Sequence, residues 1–392
     1  MSTTAIRGRV VVEDEIWPGG TVLVEGPSIR AVGRGPLRAD AVVDLGDSFV
    51  VPGFVDLQLN GALGLDVVLQ PEHLRELSES LTATGTTSYL PTVVTRPAGE
   101  YGGLLVDLRL GGDGAEALGL HLEGPFINVE KRGAHPEEAV TAPDPDALAA
   151  MLDAARVSMV TLAPEMPGAG ELISLCVQRG VVVSMAHSNA SFDEAMSAFD
   201  AGAASITHLF NAMSSLHHRD PGLPGAVLAH DAAACGIIVD RHHVHPEMVS
   251  LAYDRLGPER MYLVTDAMAA AGMGPGEHSL AGRTVYVEDG APRLADGTLA
   301  GSTLLMHEAV ANVMEITRCS LQDAIKMASA TPARLVGASR KGRLAPGADA
   351  DVVALSPNLD VEAVWARGRL QDVPDTAGVA HLRDGRVSGT TG

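Results

Sequence analysis

The chain has 392 residues, enough to bury a large core, and its 46% hydrophobic content with 43 glycines and 23 prolines is typical of a turn-rich globular protein. The formal net charge of -21 argues against nucleic acid and anionic membranes as partners, because either would need a basic face. Three scattered cysteines are too few for a disulfide framework, and no apolar run suits a membrane span or a secretion signal. We therefore expect a cytoplasmic protein.

Both ends of the chain predict short β-strands separated by turn residues. The amino-terminal segment contains apolar runs punctuated by Gly, Pro and Asp, at 10–13, 21–25, 29–32 and 41–44. The carboxyl-terminal segment repeats the pattern at 351–355, 361–367 and 382–387, the last with a tight Asp-Gly turn. Because chain termini often lie close together, we expect residues 1–51 and 346–392 to form one small β-sandwich domain.

The middle of the chain, residues 52–345, alternates apolar strand-like runs with helical patterns. About eight such strands over about 220 residues predict a (β/α)8 barrel, similar to that of TIM, as the catalytic domain. Runs that are apolar on both faces, such as 237–239, suit a parallel sheet covered by helices. A doubly wound open sheet is the structural alternative. The strand-like runs end near Gln58, Val94, Leu122, Ala163, Ala186, Leu209, Val239 and Thr265.

Helical patterns fill the intervals between these runs. Several begin at a residue that commonly caps helices, for example Asp144 and Ser191. Two more helices are predicted at 302–317 and 321–330, preceded by an inserted β-hairpin within 276–300. The earlier helical stretches are 71–84, 144–155, 171–178, 192–201 and 246–256.

Ionisable side chains stand where four of the predicted strands end, namely Glu123, His187, His208 and Asp266. In a parallel barrel these strand ends converge on one mouth, so we expect the four side chains to lie together. Glu123, His187 and His208 are the ligand types of a catalytic zinc or iron site with one position open for water. Each alone could be a hydrogen-bonded core histidine or a capping carboxylate; together they favour a metal site.

Asp266 suits the role of a proton carrier beside such a metal. A carboxylate there can take a proton from an activated water and return it to a leaving amine. Its structural alternative is to cap a helix in the Ala-rich stretch that comes after it. Gln58 and Asn60, on the first strand, stand where a two-metal site would usually have histidines, and amides are poor metal ligands. The sequence therefore favours one metal ion, not two.

The remaining histidines divide into a few candidates and a structural group. His135 lies on the loop after Glu123 and could polarise a carbonyl or bind substrate across the mouth. His242, His243 and His245 follow the seventh strand, and we expect one of them to face the mouth. By contrast, we interpret His121, two residues before Glu123, as a structural histidine of the core.

Sequence blocks along nearly the whole chain match one family. They include His121-Leu-Glu-Gly-Pro-Phe and Lys131-Arg-Gly-Ala-His. In this block order the chain resembles the N-acetylglucosamine-6-phosphate deacetylases of the amidohydrolase superfamily. The matching blocks are 52–61, 121–126, 131–135, 162–165, 186–190, 207–213, 219–223, 236–240, 263–267, 297–302 and 342–351.

The resemblance implies one divalent ion per subunit, zinc in the first place, with iron(II) or another divalent ion as alternatives. Its ligands would be Glu123, His187 and His208. Asp266 would serve as general base and then as general acid, and His135 would help to stabilise the oxyanion. The segment 240–245 is richer in histidine than the family usually is there, so the imidazole that binds substrate remains open between three positions.

The resemblance also implies the substrate contacts and the assembly. Arg219 matches a phosphate-binding arginine that reaches the site of the partner subunit, so we expect a homodimer. This arginine would also supply the local positive charge that the net charge lacks. The expected contacts are Ala134, His135 and His243 to the sugar and acetamide, Asn211 and Ala212 to the phosphate, and Leu299, Ala300 and Gly301 to the acetyl end.

The expected reaction is hydrolysis of N-acetyl-D-glucosamine 6-phosphate to glucosamine 6-phosphate and acetate, in amino-sugar catabolism or cell-wall recycling. The nearest alternative is the same chemistry on N-acetylgalactosamine 6-phosphate or on another small amide. A cyclic ureide is disfavoured because Gln58 and Asn60 remove half of a two-metal site. A non-catalytic scaffold would lack a ligand or the base, whereas here all four groups are present.

Overall fold

The computed structural model describes residues 2–373, so the strand predicted at 382–387 lies outside the described residues. The amino-terminal segment forms the first part of a sheet. Strand β2 pairs antiparallel with both β1 and β3, and β1 pairs parallel with β4. The strands are β1 (Thr3–Val12), β2 (Glu15–Glu25), β3 (Ser28–Gly33) and β4 (Ala41–Pro52).

The middle of the chain forms a parallel sheet with eight strands in one path, beside three very short strands. The strands are β5 (Phe54–Leu59), β6 (Gly61–Ala62), β7 (Leu65–Asp66), β8 (Thr86–Val94), β9 (Glu116–Ala117), β10 (Leu120–Glu123), β11 (Val157–Leu162), β12 (Val182–Met185), β13 (Ser205–Ile206), β14 (Ala234–Ile237) and β15 (Met261–Leu263). The path runs β5, β8, β10 and then in chain order to β15, while β6 pairs with β7 and β9 with β8.

This sheet is closed by contacts between the first strand and the residues that come after the last. Leu59 forms a parallel bridge with Ala267. The backbone N–H of Asp266 donates to the carbonyl of Gln58 at 2.9 Å, and that of Asn60 donates to the carbonyl of Ala267 at 2.8 Å. The eight predicted strands are present in order, and the predicted (β/α)8 barrel is confirmed; an open sheet would leave these backbone groups unpaired.

Helices cover the outside of the barrel, as the alternating pattern predicts. Their start signals work as expected: the Asp144 side chain accepts hydrogen bonds from the backbone N–H groups of Asp146 and Ala147, and Ser191 forms a capping box with Glu194. Helices α2, α6 and α10 were not predicted. The helices are α1 (Leu74–Leu81), α2 (Ala98–Asp107), α3 (Pro145–Ala154), α4 (Ala169–Gln178), α5 (Phe192–Asp200), α6 (Gly222–Ala229), α7 (Pro246–Leu256), α8 (Met306–Thr317), α9 (Leu321–Ala328) and α10 (Ala330–Leu335).

The helix predicted to start at Ser302 starts four residues later, at Met306, and that boundary was wrong. Ser302 is held in an extended segment: its backbone N–H donates to the carbonyl of Asp266 at 2.7 Å, and it forms a parallel bridge with Ala267. This pairing over more than thirty residues of chain is a tertiary contact, which local sequence pattern does not report. No helix between residues 2 and 373 is long and apolar enough to cross a membrane.

The predicted inserted hairpin is present as a three-stranded antiparallel sheet. Its strands are β16 (Gly276–Leu280), β17 (Arg283–Glu288) and β18 (Ala291–Arg293). The hairpin has an apolar cluster of its own, which includes Met268, Val285 and Ala300, and Ala134 from the loop after β10 packs against it. The insertion is therefore attached to the mouth of the barrel by apolar contacts.

The carboxyl-terminal strands β19 (Val352–Leu355), β20 (Val361–Ala366) and β21 (Arg369–Leu370) complete the amino-terminal sheet, because β19 pairs with β4. The sheet has seven strands. The edge strand β3 contacts the segment that precedes β19: the backbone N–H of Ile29, in β3, donates to the carbonyl of Ala348 at 2.9 Å. Curled in this way, the sheet encloses its own core, as a small sandwich does. We propose the sequence-based limits, 1–51 with 346–392, for this domain.

A buried cluster of charges joins the two domains. The ammonium of Lys341 lies 2.7 Å from the Glu116 carboxylate in β9, 2.8 Å from Asp351 and 3.0 Å from Asp349. Burial opposes the charge of Lys341, but the carboxylates of Asp351 and Glu116 outweigh it and raise the pKa of the ammonium. Lys341 is therefore charged in the folded state and connects a barrel strand to the start of β19.

We predict that Lys341→Met lowers the free energy of unfolding by about 3 kcal/mol or more, because it leaves the buried carboxylate of Asp351 without its cation. The matched control is Arg340→Met. Arg340 also pairs with Asp349, but its side chain is 56% exposed, so we expect a loss of about 1 kcal/mol or less. Urea denaturation of both variants measures the difference. Equal losses would show that the buried cluster adds nothing beyond a surface ion pair.

Candidate active site

Three of the four predicted site residues leave their strands with an unusual backbone conformation. His187 follows β12, His208 lies just after β13 and Asp266 lies just after β15, and their φ angles are 48°, 33° and 48°. Positive φ is uncommon for residues with a side chain and costs free energy, so it persists where the surrounding structure imposes it. All three residues lie at the carboxyl-terminal mouth of the barrel, as the strand-end pattern predicts.

The carboxylate of Glu123 and two imidazoles converge on one point. Glu123 Oε1 lies 3.0 Å from His208 Nε2 and 3.2 Å from His187 Nε2, and the two nitrogens are 3.1 Å apart. Atoms that bind a tetrahedral ion at about 2.0 Å are about 3.3 Å from one another, so this triangle has the size of one face of such a site. All three side chains are buried. The residues therefore fit a single divalent ion.

The proton positions of the cluster also suit a cation. Lys131 contributes a backbone carbonyl 2.9 Å from His187 Nδ1, which must donate to it, so the lone pair of the neutral ring lies on Nε2, toward the cluster. Burial by itself would raise the pKa of Glu123, but the imidazoles of His135, His187 and His208 beside it lower the pKa well below its usual range. Glu123 is thus a carboxylate even though it is almost inaccessible to water.

His135 lies close enough to compete for the role of ligand. Glu123, His135 and His187 each offer a ligand atom within 4.8 Å of the others. The backbone N–H of Thr95, however, donates to His135 Nδ1 at 3.2 Å, so the proton of the neutral ring lies on Nε2. That nitrogen faces Glu123 Oε2 at 3.6 Å. His135 is therefore a hydrogen-bond donor to the cavity, and His208 remains the better candidate for the third ligand.

Asp266 lies in the same buried pocket as the cluster. The side-chain amide of Asn60 donates to Asp266 Oδ1 at 2.7 Å. Burial and the negative charge of Glu123 raise the pKa of Asp266 to about 7. The alternative role as a helix cap is excluded, because no helix begins in the stretch after it. The carboxyl group can therefore exchange a proton near neutral pH.

Gln58 and Asn60 have roles that the sequence did not reveal. The amide of Gln58 donates to Glu123 Oε1 at 2.9 Å, just as that of Asn60 donates to Asp266. From sequence they were noted only as poor metal ligands. Their spacing of two residues on a strand places both side chains on the same face, which is the signal that could have assigned them to the mouth. Each amide orients one of the two carboxylates.

The structure distinguishes among the three histidines that come after the seventh strand. His243 lines the cavity, whereas His242 is exposed and His245 accepts a hydrogen bond at the start of α7. His243 Nδ1 donates to Asp240 Oδ2 at 2.6 Å, which leaves Nε2 for the cavity. Burial of Asp240 is outweighed by His243 and by backbone N–H groups, and together these lower the pKa of Asp240 to about 2. The pair is held in a fixed orientation.

A cavity of about 580 Å³ contains these groups, a volume suited to a small ligand. Two predicted contacts do not line it. Ala300 is fully buried in the hairpin cluster, and Arg219 lies on an exposed loop with its guanidinium 2.8 Å from His218 Nε2. Basic residues that the sequence did not assign also line the cavity, namely Arg96, Lys131 and Arg283. The predicted residues that do line it are Glu123, Ala134, His135, His187, His208, Asn211, Ala212, His243, Asp266, Leu299 and Gly301.

His121 has the structural role expected of it. Its Nδ1 lies 3.0 Å from the carbonyl of Leu57, and its Nε2 lies 2.7 Å from the hydroxyl of Thr161. Burial lowers the pKa of His121 to about 4, so the ring is neutral. Both nitrogens are used inside the barrel, which leaves none for a ligand.

Known proteins share this fold. The family model described as "Amidohydrolase family" matches residues 49–371. The chain belongs to this family. The match includes the whole barrel and therefore every residue of the cluster. Members at low identity share only the fold: an enamidase structure superposes with a TM-score of 0.62 at 14% identity.

Other relatives are more similar. The N-acetylglucosamine-6-phosphate deacetylase of Homo sapiens is 38% identical over 391 residues, which cover 95% of each chain. An N-acetylgalactosamine-6-phosphate deacetylase of Escherichia coli O157:H7 is 37% identical over 94% of this chain and 99% of its own. A mutant N-acetyl-D-glucosamine-6-phosphate deacetylase from Mycobacterium smegmatis, solved in complex with N-acetyl-D-glucosamine-6-phosphate, superposes with a TM-score of 0.88 at 32% identity, covering 94% of this chain and 99% of the other.

The two amide side chains on the first barrel strand lead to a prediction. Gln58→Leu should lower the affinity for a divalent ion about 10- to 100-fold, because the hydrogen bond that orients the Glu123 carboxylate is lost. Asn60→Leu is the matched control: it lies two residues away and should leave metal affinity within about threefold, because its partner is Asp266. Competition with a chromophoric chelator measures both. Equal effects on metal affinity would contradict the assignment of Gln58 to the cluster.

Proposed function

We propose that this protein hydrolyses the acetamide of N-acetyl-D-glucosamine 6-phosphate to D-glucosamine 6-phosphate and acetate, as part of amino-sugar metabolism. The observation that carries the proposal is the convergence of Glu123, His187 and His208 beside Asp266 at the barrel mouth. The similarity to the human deacetylase, which is 38% identical over 95% of each chain, supports the same reaction. Two buried free thiols, Cys176 and Cys235, suit a reducing compartment, and we propose the cytoplasm.

We propose that Glu123, His187 and His208 hold one divalent ion per subunit. Two imidazoles and a carboxylate are donors that zinc accepts, with iron(II) as the alternative. When bound there, such an ion supplies a more acidic water and a centre that polarises the amide carbonyl. Hydrogen bonds orient two of these ligands, because Gln58 donates to Glu123 and His187 donates to the carbonyl of Lys131.

The proton transfers are assigned to Asp266. Its carboxylate takes a proton from the attacking water and gives it to the sugar amine as the C–N bond breaks. A pKa near neutrality suits both directions of transfer, and Asn60 keeps the carboxyl group oriented. His135 donates its Nε2–H toward the carbonyl oxygen as negative charge develops there.

Substrate binding is assigned to the other residues that line the cavity. His243, held by Asp240, and Ala134 contact the sugar and acetamide, while Asn211 and Ala212 present donors to the phosphate. On the remaining wall, residues 299–301 close over the acetyl group. Ala300 would contribute there only through its backbone, since its side chain is buried beneath the wall.

We propose a homodimer in which Arg219 binds the phosphate of the substrate in the partner's site. Within one chain, Arg219 is exposed and does not line the cavity. A guanidinium meets a phosphate in a bidentate way, which gives the anionic substrate a local attraction despite the net charge of -21.

A second candidate is the deacetylation of N-acetylgalactosamine 6-phosphate. The observation that favours it is the relative from Escherichia coli O157:H7, which is 37% identical over nearly its whole length. The two sugars differ in the configuration of one hydroxyl group, and the same cluster and base would serve both. The non-catalytic alternative is disfavoured, because the three ligands and the base are all present and close together.

We predict that Asp266→Asn retains one metal ion and binds substrate but releases acetate at least about 1,000-fold more slowly, because the asparagine amide cannot accept the water's proton. The measurement is acetate release from both phosphosugars, with metal content determined on the same samples. His121→Gln is the control at a buried polar residue outside the cavity, and it should change stability more than turnover. Turnover of Asp266→Asn close to that of wild type would refute the proposed mechanism.

Mixing two inactive variants tests whether Arg219 acts across the dimer. Arg219→Met and Asp266→Asn should each be nearly inactive alone. Exchange of subunits in an equal mixture should restore about a quarter of the wild-type activity, because each mixed dimer has one site with both residues intact. Denaturation and refolding of the mixture permits the exchange. A mixture no more active than its components would place Arg219 in its own subunit's site or outside both.

A further inference from the structure

We infer that Arg283, at the start of β17 on the inserted hairpin, is a positioning residue that holds His135 in its productive orientation. The inference rests on the proposed function, in which His135 stabilises the developing oxyanion. Arg283 was not assigned from sequence, and the resemblance gave it no role. It lines the cavity, and its contacts connect the hairpin to the loop that carries His135.

The central contact is a charge-assisted hydrogen bond. Arg283 Nη1 donates to the backbone carbonyl of Ala134 at 2.6 Å. Ala134 directly precedes His135 and packs its side chain against the apolar cluster of the hairpin. A peptide carbonyl held by a guanidinium limits rotation of the peptide plane, and thus the direction in which the next side chain leaves the backbone.

The turn that presents Arg283 is itself anchored to the barrel. The backbone N–H of Ala281 donates to the carboxylate of Asp66 at 2.9 Å. Its carbonyl accepts a hydrogen bond from Arg96 Nη1 at 3.1 Å, and Arg96 is paired with Glu100 at 2.6 Å. Both backbone groups of Ala281 are therefore bound by charged side chains of the barrel, which makes the turn a fixed support for Arg283.

The barrel also contacts His135 directly, through the residue next to Arg96. Thr95, the residue before Arg96, donates its backbone N–H to His135 Nδ1, and its hydroxyl lies 2.7 Å from the same nitrogen. Three segments thus form a closed ring of contacts: the end of β8, the hairpin turn and the loop after β10. Within the ring, Thr95 sets the tautomer of the imidazole, and Arg283 sets the position of the backbone from which the imidazole projects.

Removal of one link in the ring should loosen the loop that carries His135. Without Arg283, the carbonyl of Ala134 loses its donor and the loop can shift against the hairpin. A displacement of about 1 Å in a catalytic group can reduce rate about 100-fold, although the group itself is unchanged. The effect should fall on the chemical step, because His135 acts on the charge that develops in the transition state.

Kinetics of Arg283→Met test the inference. We expect kcat to fall about 10- to 100-fold while KM stays within about threefold, and Arg283→Lys to recover part of kcat through its remaining positive charge. The matched control is Arg260→Met, since Arg260 also donates from its guanidinium to a backbone carbonyl, that of His230, but just before β15 at the other end of the barrel. This control should lose stability without losing kcat.

A double-mutant cycle with His135→Gln separates positioning from a general structural effect. If Arg283 acts through His135, adding Arg283→Met to His135→Gln should change kcat by less than about twofold. Full multiplication of the two effects, or a wild-type kcat in Arg283→Met, would overturn the inference. If the wild-type protein releases no acetate, the proposed function has failed instead.

Hydrogen exchange tests the positioning role without activity. The backbone N–H of His135 donates to the carbonyl of Arg132 at 3.0 Å. Arg283→Met should accelerate exchange at this amide by about tenfold or more, whereas Arg260→Met should not. Unchanged exchange at His135 would overturn the inference whatever the protein's substrate.

Discussion

A buried carboxylate surrounded by imidazoles sets the main constraint on this structure. Glu123 is almost inaccessible to water, and three histidines lie within 3.0 to 3.6 Å of its oxygens. A buried charge without a partner costs several kcal/mol, so the folded state needs protons or a cation at this point. Because His187 and His135 have their protons directed by Lys131 and Thr95, the cluster has open lone pairs on one side and a donor on the other. That asymmetry supports the proposed division of roles, in which His187 binds the metal ion and His135 stabilises the carbonyl oxygen.

Closure of the barrel is what brings the two carboxylates of the site together. Glu123 belongs to the third long strand of the barrel and Asp266 follows the last, so neither is close to the other in sequence. Gln58 in the first strand, β5, and Asn60 just after it each donate a hydrogen bond to one of these carboxylates, and the backbone of this segment is paired with residues 266 and 267. At the same contact between the first and last strands of the barrel, Thr265 donates its hydroxyl to Asp56 at 2.5 Å. Burial raises the pKa of Asp56 to about 7. The contact that closes the barrel therefore stabilises both the fold and the site.

The cavity places basic residues where an anionic substrate would bind, although the protein as a whole is acidic. Its lining contains both signs of charge, and two of its three basic residues are occupied: Arg96 by Glu100 and by the hairpin turn, and Arg283 by the carbonyl of Ala134. Their positive charges remain near the mouth, but their hydrogen bonds hold the loops in place. In the proposed homodimer, Arg219 from the other subunit would add the positive charge that these two residues do not direct toward a phosphate.

The sequence by itself determined the barrel, the domain built from both chain ends, and the four ionisable residues at strand ends. It could do so because hydrophobic periodicity reports burial, and because strand ends in a parallel barrel converge on one mouth. Local pattern could not show that Gln58 and Asn60 orient the carboxylates, that His243 is the imidazole that faces the cavity, or that Ala300 lies beneath its wall. It also misplaced the start of α8 at Ser302. Those facts were decided only by the tertiary structure, since each depends on a hydrogen bond or a packing contact between segments far apart in the chain.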